Sequence, residues 1–286
     1  MKILILGSKG QLGTALTSLL EDNNADFNGI DLPEFDITNE QNTIEVIEQF
    51  KPGIIINTCA YTDVKAAEYE FLQATLVNGI CLKKLVEICN NKQLYFCHIS
   101  TDYVFNGQKG KPYIEEDSTD PINIYGLSKE FGERIVKHYS NNYVIVRTAA
   151  LYGKSTKQSE NVVDKVIHYA TMNKQVSLVD DEYTSPTYAK DLAHQIYVIL
   201  EKSVKGIIHA TTEGECNWYE FGKLIFQTLD MDVNIKKVRS QDFSSSLKKP
   251  LYSVLENARL KSLNINVMPH WTVSLQKYLE SNYNTQ

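Results

Sequence analysis

No stretch of this chain approaches the roughly 18 consecutive apolar residues that a membrane-spanning helix needs, so no such helix is expected. The opening residues Met1–Gly7 are too short an apolar run for a secretory leader and read directly as a strand. Cysteine is sparse. Cys59, Cys81, Cys89, Cys97 and Cys216 are odd in number and form no Cys-x-x-Cys pair, and most sit in apolar segments. That pattern argues against a metal knot or a disulfide framework and fits reduced core residues of a cytoplasmic protein. Basic residues are outnumbered, 29 against 35 acidic, for a net charge of −6, and they are scattered. An extended nucleic-acid groove is therefore not expected, although a phosphate-bearing small molecule needs only a local positive site. Internal repeats and low-complexity segments are also missing.

The 286 residues, 43% of them hydrophobic, can bury a full core. One large α/β unit or two closely fused lobes follow from that length. In the first half, apolar runs at 2–6, 27–31, 54–57, 94–99 and 143–147 read as strands. Segments with helical spacing lie between them at 14–20, 39–50, 64–71, 76–90 and 125–139. Strands alternating with helices imply a parallel, doubly wound sheet of Rossmann type.

The first strand runs into Gly7-Ser-Lys-Gly10-Gln11-Leu12-Gly13. The first glycine permits a tight turn, the second lets a phosphate approach the backbone, and the third lets helix and sheet pack closely. A helix N-terminus then offers N–H groups and positive potential to a pyrophosphate. Asp31 ends the second strand roughly 20 residues on, where an acid would bind adenosine ribose hydroxyls; a strand-end turn carboxylate reads almost as well. Leu32 follows with no Arg to pair a 2′-phosphate, which tilts the cofactor toward NADH without excluding NADPH. Asp36 and Ile37 fall in a turn that could border the adenine, and Asp36 could equally cap the next helix. Small residues after the third strand, around Ala60, Tyr61 and Thr62, would let a cofactor lie close over the backbone. Asn78 interrupts the apolar face of its helix, as a buried Asn does when it satisfies backbone groups.

The chemistry concentrates between Ile99 and Lys129. Thr101 ends an apolar strand, placing a hydroxyl at the carboxyl end of the sheet, where open α/β folds bind ligands. Tyr125 and Lys129 stand four apart, on one face of a helix. A phenol is a weak acid near neutrality, and a nearby ammonium favours its ionised form. The three groups could hold a carbonyl oxygen and protonate it. A bare Tyr-x-x-x-Lys is common on solvated faces. The order of glycine turn, strand-end hydroxyl and pair is what distinguishes this one. His98 reads as a core or edge histidine, Arg147 as a pin at a strand end, and Trp218, Tyr219 and Phe221 as packing.

Beyond Gly153 the pattern loosens. A polar loop at 154–160 precedes helices at 162–172, 188–200, 218–229 and near 273–279, with strands at 176–179 and 206–210. The last of these strands is expected to return to the first sheet. The expected division is a dinucleotide-binding domain of 1–152 plus about 187–211, and a smaller, discontinuous C-terminal substrate lobe of about 153–186 and 212–286.

Taken together, these residues resemble the extended short-chain dehydrogenase/reductases and, more narrowly, the dTDP-4-dehydrorhamnose reductase family. The resemblance runs the whole length. It is carried by the glycine turn, Asp36-Ile-Thr38, Ser100-Thr-Asp-Tyr-Val-Phe105, Tyr125-Gly-Leu-Ser-Lys129, Ser185-Pro-Thr187, Trp218-Tyr-Glu-Phe221 and Pro250-Leu-Tyr-Ser-Val-Leu255. It implies Thr101, Tyr125 and Lys129 as the catalytic set, with Tyr125 and Lys129 also touching the cofactor. It implies substrate contacts near Thr62, Val64, Thr101, Asp102 and Tyr103, with Ala150 where the family usually has a sugar-facing Trp. Lys65 replaces the family's Asp, and Lys249-Pro250 its Arg-Pro, which keeps the charge without the bidentate fork. The implied activity is NADPH- or NADH-dependent reduction of the C4 keto group of a nucleotide-linked 4-keto-6-deoxy sugar, first of all dTDP-4-dehydro-L-rhamnose. Some members bind Mg2+ at a dimer contact; those carboxylates are not matched residue by residue here, so Mg2+ stays open with no metal site assigned, and a homodimer stays open too. Two other readings stand beside it. One is an epimerase or dehydratase that retains NAD, against which Tyr103 stands where a dehydratase often has Glu. The other is a non-catalytic, cofactor-binding regulatory subunit.

Overall fold

The structure is a computed structural model that describes residues 2–157, 160–173, 175–242 and 247–283. Its first layer is a six-stranded parallel sheet. The strands are β1 (Lys2–Leu6), β2 (Asp26–Ile30), β3 (Ile54–Asn57), β4 (Tyr95–Thr101), β5 (Tyr143–Thr148) and a later strand, Gly206–His209. Alternate residues along a strand point to opposite faces, and here both faces are covered. Ile3, Ile5, Ile54, Ile56, Val144 and Val146 pack toward helix α1 (Gln11–Asp22). Leu4, Leu6, Ile55, Phe96 and Ile145 pack toward α2 (Glu40–Phe50) and the 81–91 helix. Burial on both sides is why these strands read as unbroken apolar runs.

The connection from β3 to β4 departs from the expected pair of helices. It is split into α3 (Val64–Ala67), α4 (Phe71–Thr75), a π-helical turn (Leu76–Ile80) and α5 (Cys81–Asn91). The Glu68 side chain, at the end of α3, accepts the Ile124 N–H at 2.8 Å. In the π turn, Gly79 lies so close to Phe131 that an added Cβ would sit 2.4 Å from its ring. After α6 (Ile124–Tyr139) and β5 the chain enters a second core. This contains α7 (Val162–Met172), β6 (Gln175–Val179) and β7 (Tyr183–Thr184).

The chain then returns through α8 (Ala189–Glu201) and β8 (Gly206–His209). β8 pairs with β5, Val144 opposite Gly206 through Arg147 opposite His209, and α8 shares the apolar cluster of α1. β9 (Cys216–Asn217), α9 (Trp218–Thr228), β10 (Asn234–Val238) and α11 (Trp271–Asn282) complete the second core, while α10 (Ala258–Ser262) packs back on the first, with Leu260 in the cluster of α1 and Arg259 donating to the Ile207 carbonyl of β8 at 2.6 Å. That core is centred on Tyr152, Phe221, Leu275 and Tyr278. β10 pairs with β6 and β7 with β9. Neither β7, β9, β10 nor α10 was expected. β10 is a polar, half-exposed strand, and β7 and β9 are two residues long. The last helix opens at Trp271, capped by the His270 ring accepting the Thr272 N–H, rather than near 273. The loop expected at 154–160 includes Gln158 and Ser159, and the first strand was expected to begin near Met1; these three lie outside the described residues.

Strand order is β2-β1-β3-β4-β5-β8, so the direction of progression reverses between β1 and β3. In open parallel sheets ligands bind outside the carboxyl ends of the strands at such a reversal. Among the described residues no helix is long and apolar enough to cross a membrane.

Candidate active site

A cavity of about 660 Å³ opens at that reversal, between the strand ends and the second core. One end is the glycine turn. Gly7 has φ +87°, and a Cβ on Gly13 would stand 2.2 Å from the Gly7 carbonyl oxygen. Only glycine fits either position. Gly10 is the N-cap of α1 and no side chain caps that helix, so its first turn faces the cavity uncapped. Gln11 Oε1 and Thr148 Oγ1 are buried without a hydrogen-bond partner among the described residues, and both residues line the cavity. A side-chain-free cradle, an uncapped helix start and orphaned polar atoms together fit a dinucleotide.

Of the residues expected to bind cofactor, Gly7, Gly10, Gln11, Leu12, Gly13, Asp31, Asp36, Ile37, Ala60, Thr62, Tyr125 and Lys129 line this cavity. Tyr61 does not. Its hydroxyl donates to Glu70 at 2.9 Å, outside the cavity, while its main chain is clamped by Asn78, which accepts the Tyr61 N–H and donates to its carbonyl. Asp36 accepts the N–H and hydroxyl of Thr38 in its turn, and α2 is capped by Asn39 instead.

The other end holds the reacting groups. Asn123 caps α6 by accepting the Gly126 N–H at 2.8 Å. Gly126 is pressed so tightly on the Tyr103 carbonyl that a Cβ would lie 2.2 Å away. This fixes the start of α6 against the end of β4 and brings Tyr125 to Thr101. Thr101 hydrogen-bonds the Tyr125 phenol and lies 3.0 Å from Asp102 Oδ1. A hydroxyl has one proton and two lone pairs, so Thr101 can donate to the carboxylate while accepting from the protonated phenol. The rings of Tyr103 and Tyr125 meet edge to face at 5.9 Å.

Burial dominates the electrostatics. It pushes the Tyr125 phenol up to about 12, with the Thr101 hydrogen bond pulling down and the Asp102 charge pushing up. The expected acidification of the phenol beside Lys129 is not the net result, because burial outweighs it. Lys129 is itself buried and drawn down to about 8, the Glu133 carboxylate opposing that drop, and its ammonium donates to the Ile99 carbonyl at 2.6 Å. Asp102 is pushed up to about 6 by burial, although Ser253 and Thr101 hydrogen-bond it. One turn beyond Lys129, Glu133 is gripped by Arg147 through two bonds of 2.8 and 2.6 Å and accepts the Ser100 hydroxyl at 2.6 Å. Arg147 thus anchors β5 to α6, as expected of a strand-end pin. His98 is buried beside Asn57, 3.2 Å from its amide, and lies off the cavity.

Val64, Thr62, Asp102, Tyr103 and Ala150 line the same end as expected, Ala150 with φ +42°. The opposite wall comes from the second core: Glu182, Tyr183, Trp218, Pro250 and Ser253. Trp218 both packs edge-on against Phe221 and lines the cavity, so packing alone understates it. The motifs around Trp218 and Pro250–Leu255 were the available signal for this wall; Glu182 and Tyr183 had none. Lys249 stands 3.8 Å from Glu182, and Lys65 is exposed on α3. Among the described residues no group of three or more His, Cys, Asp or Glu is placed to hold a metal ion. A phenol that keeps its proton, a hydroxyl beside it and a buried ammonium can together deliver a proton to an oxygen on which negative charge develops.

Comparison with known proteins places this architecture. The family model described as the RmlD substrate binding domain matches residues 1–284. A Streptomyces niveus protein named dTDP-4-keto-6-deoxy-D-glucose reductase is 33% identical, over 95% of this chain and 94% of its own. A dTDP-4-dehydrorhamnose reductase of Aggregatibacter actinomycetemcomitans is also 33% identical, over 91% of this chain and 92% of its own. The crystal structure of dTDP-4-dehydrorhamnose reductase from Bacillus anthracis in complex with NADP superposes with a TM-score of 0.94 at 35% identity, covering 98% of this chain and 99% of that one.

Proposed function

The chain belongs to the RmlD substrate binding domain family, and on that footing we propose that it reduces the C4 carbonyl of a dTDP-linked 4-keto-6-deoxy sugar with a nicotinamide cofactor. Its relatives of similar length carry reductase names for such sugars. The observation that carries the reading is the arrangement of one cavity: Thr101, Tyr125 and Lys129 at one end, the Gly7–Gly13 cradle at the other.

When bound, the reduced cofactor supplies the hydride. The residues supply position, a proton and a field. Thr101 orients the substrate oxygen by a hydrogen bond. Tyr125, which keeps its proton well above neutral pH, gives that proton to the oxygen as negative charge gathers there. The Lys129 ammonium, fixed on the Ile99 carbonyl, adds positive field to the end of the cavity where negative charge develops. Ketone, hydride and proton then balance as the alcohol. Tyr103, Tyr183 and Trp218 offer aromatic surface to the sugar nucleotide where Ala150 offers none. The first substrate to test is dTDP-4-dehydro-L-rhamnose.

A panel of dTDP-, UDP-, CDP- and GDP-linked 4-keto-6-deoxy sugars, with NADPH or NADH oxidation followed optically and the product sugar identified, tests the proposal. Stoichiometric oxidation with a dTDP sugar is expected. Cofactor that stays bound without net oxidation while the sugar changes would instead mean an epimerase or dehydratase. Binding without any conversion would mean a regulatory subunit.

A further inference from the structure

The charge at the adenosine corner of the cavity differs from what the end of β2 alone supplies. Asp31 is buried there at 5% exposure. Its Oδ2 accepts the Lys9 N–H at 2.9 Å and its Oδ1 the Leu32 N–H at 2.7 Å. A third partner comes from far along the chain: Lys157 places its ammonium 3.0 Å from Asp31 Oδ1. Lys157 belongs to the loop between β5 and the second core, and that loop is docked on the glycine turn. The Thr156 N–H donates to the Thr14 hydroxyl and the Thr156 hydroxyl to the Lys9 carbonyl, each at 3.3 Å. Lys157 lines the cavity along with Asp31 and Leu32. The nearby Lys9 ammonium is turned elsewhere, to the Leu32 carbonyl and to Glu34, at 2.8 Å each.

A lone carboxylate at this position favours a free ribose 2′-hydroxyl and repels a 2′-phosphate, whereas an adjacent cation takes the phosphate. Here the carboxylate already holds two main-chain N–H groups and an ammonium. An ammonium carries three N–H donors, and Asp31 uses one. We propose that Lys157 sets the choice of cofactor: it neutralises the strand-end carboxylate and turns a corner that would select NAD(H) into one that accepts NADP(H). The reading of β2 alone tilted toward NADH because no Arg follows Asp31. The cation is supplied instead by the loop that follows β5, which no residue near Asp31 in sequence announces. This inference rests on the dinucleotide reading of the cavity, and its test reads binding rather than turnover.

The experiment is calorimetric titration of the full chain with NADP+ and NAD+, and with adenosine 2′,5′-bisphosphate and AMP as fragments. The proteins are the wild type, Lys157→Arg, Lys157→Gln and Lys157→Glu, each checked by thermal melting. The wild type is expected to bind NADP+ at least as tightly as NAD+. Lys157→Gln is expected to weaken NADP+ and the bisphosphate about tenfold or more while leaving NAD+ and AMP nearly unchanged. Lys157→Glu should weaken the phosphorylated pair further, and Lys157→Arg should retain the wild-type ratio. An NADP+/NAD+ ratio unmoved by Gln and Glu, or a wild type that strongly favours NAD+, overturns the role of Lys157. A wild type that binds neither dinucleotide overturns the cofactor site itself, a result distinct from an unmoved ratio.

Discussion

Lys129 donates a 2.6 Å hydrogen bond to the main-chain carbonyl of Ile99, two residues before Thr101 on the same strand. That bond ties α6 to the end of β4 and holds an ammonium in a place where burial lowers its pKa to about 8. The ammonium is present below that pH and lost above it. Turnover is expected to fall as pH rises through about 8. Lys129→Met should lower kcat on the order of 10²-fold and remove the alkaline limb. A kcat profile against pH for both proteins checks this; a wild-type profile flat through alkaline pH would contradict it.

Tyr125→Phe removes the proton donor and little else, since the ring still packs against Tyr103 at 5.9 Å. The expected loss in kcat is about 10²–10⁴-fold, with dinucleotide affinity within error of the wild type. Steady-state kinetics with a separate binding titration reads the two effects apart. Full activity in this variant would remove Tyr125 from the chemistry.

Asp102 gives a stability prediction with a definite sign. Burial raises its carboxyl from 3.8 to about 6 in the folded protein. The folded state therefore holds this proton more tightly than the unfolded chain. The associated stability is full below pH 3.8 and is lost as pH rises through about 6. Asp102→Asn should gain stability relative to the wild type between acid and neutral pH, about 3 kcal/mol. Urea unfolding of both proteins at pH 4 and pH 8 measures the difference. Equal changes at the two pH values would show that the carboxyl is not perturbed.

His209 acts in the opposite direction. It is buried, its Nε2 lies 3.4 Å from the Arg147 guanidinium, and burial first and Arg147 second lower its pKa from 6.5 to about 3. The unfolded chain takes up that proton first. The contribution is thus complete above pH 6.5 and is lost as pH falls toward about 3. His98 is lowered in the same direction by burial. The urea midpoint of the wild type should drop on acidification below 6.5, and His209→Gln, though less stable at neutral pH, should show a shallower drop.

Gly13→Ala would force a Cβ to within 2.2 Å of the Gly7 carbonyl and 2.6 Å of the Ser8 Cα, both backbone atoms with little room to yield. A cost of about 1–3 kcal/mol is expected from overpacking of this kind, together with loss of dinucleotide binding as the turn is pushed open. Thermal melting and calorimetry test the two consequences.

Local chemistry made part of this molecule readable from its sequence. Ile3–Leu6 and Ile54–Ile56 are apolar throughout because both faces of their sheet are covered, and such runs announce parallel strands. The glycine turn was legible because Gly7 and Gly13 answer to steric demands within one loop. Tyr125 and Lys129 were legible because helical spacing puts them on one face. What was hidden depends on distant partners. Nothing local to Lys157 says that it reaches Asp31, and nothing in Tyr61 says that Glu70 draws its hydroxyl away. The acidity of Tyr125 was misjudged for the same reason: spacing gives proximity to Lys129, but desolvation by residues from other elements decides the shift. β10 escaped because a half-exposed strand, Asn234–Val238, needs no clear alternation of apolar residues to pair with β6.

The return of the chain to its first sheet has a consequence for any attempt to divide it. β8 covers the outer side of β5 along Val144–Arg147, residues that are buried throughout. Cutting the chain after Thr148 would strip that cover and leave a row of unpaired N–H and C=O groups on an apolar strand. Such a fragment invites strand-to-strand addition between copies and would precipitate before it could bind a ligand. The half that looks like an independent nucleotide binder therefore has its sheet edge covered by residues more than fifty positions downstream.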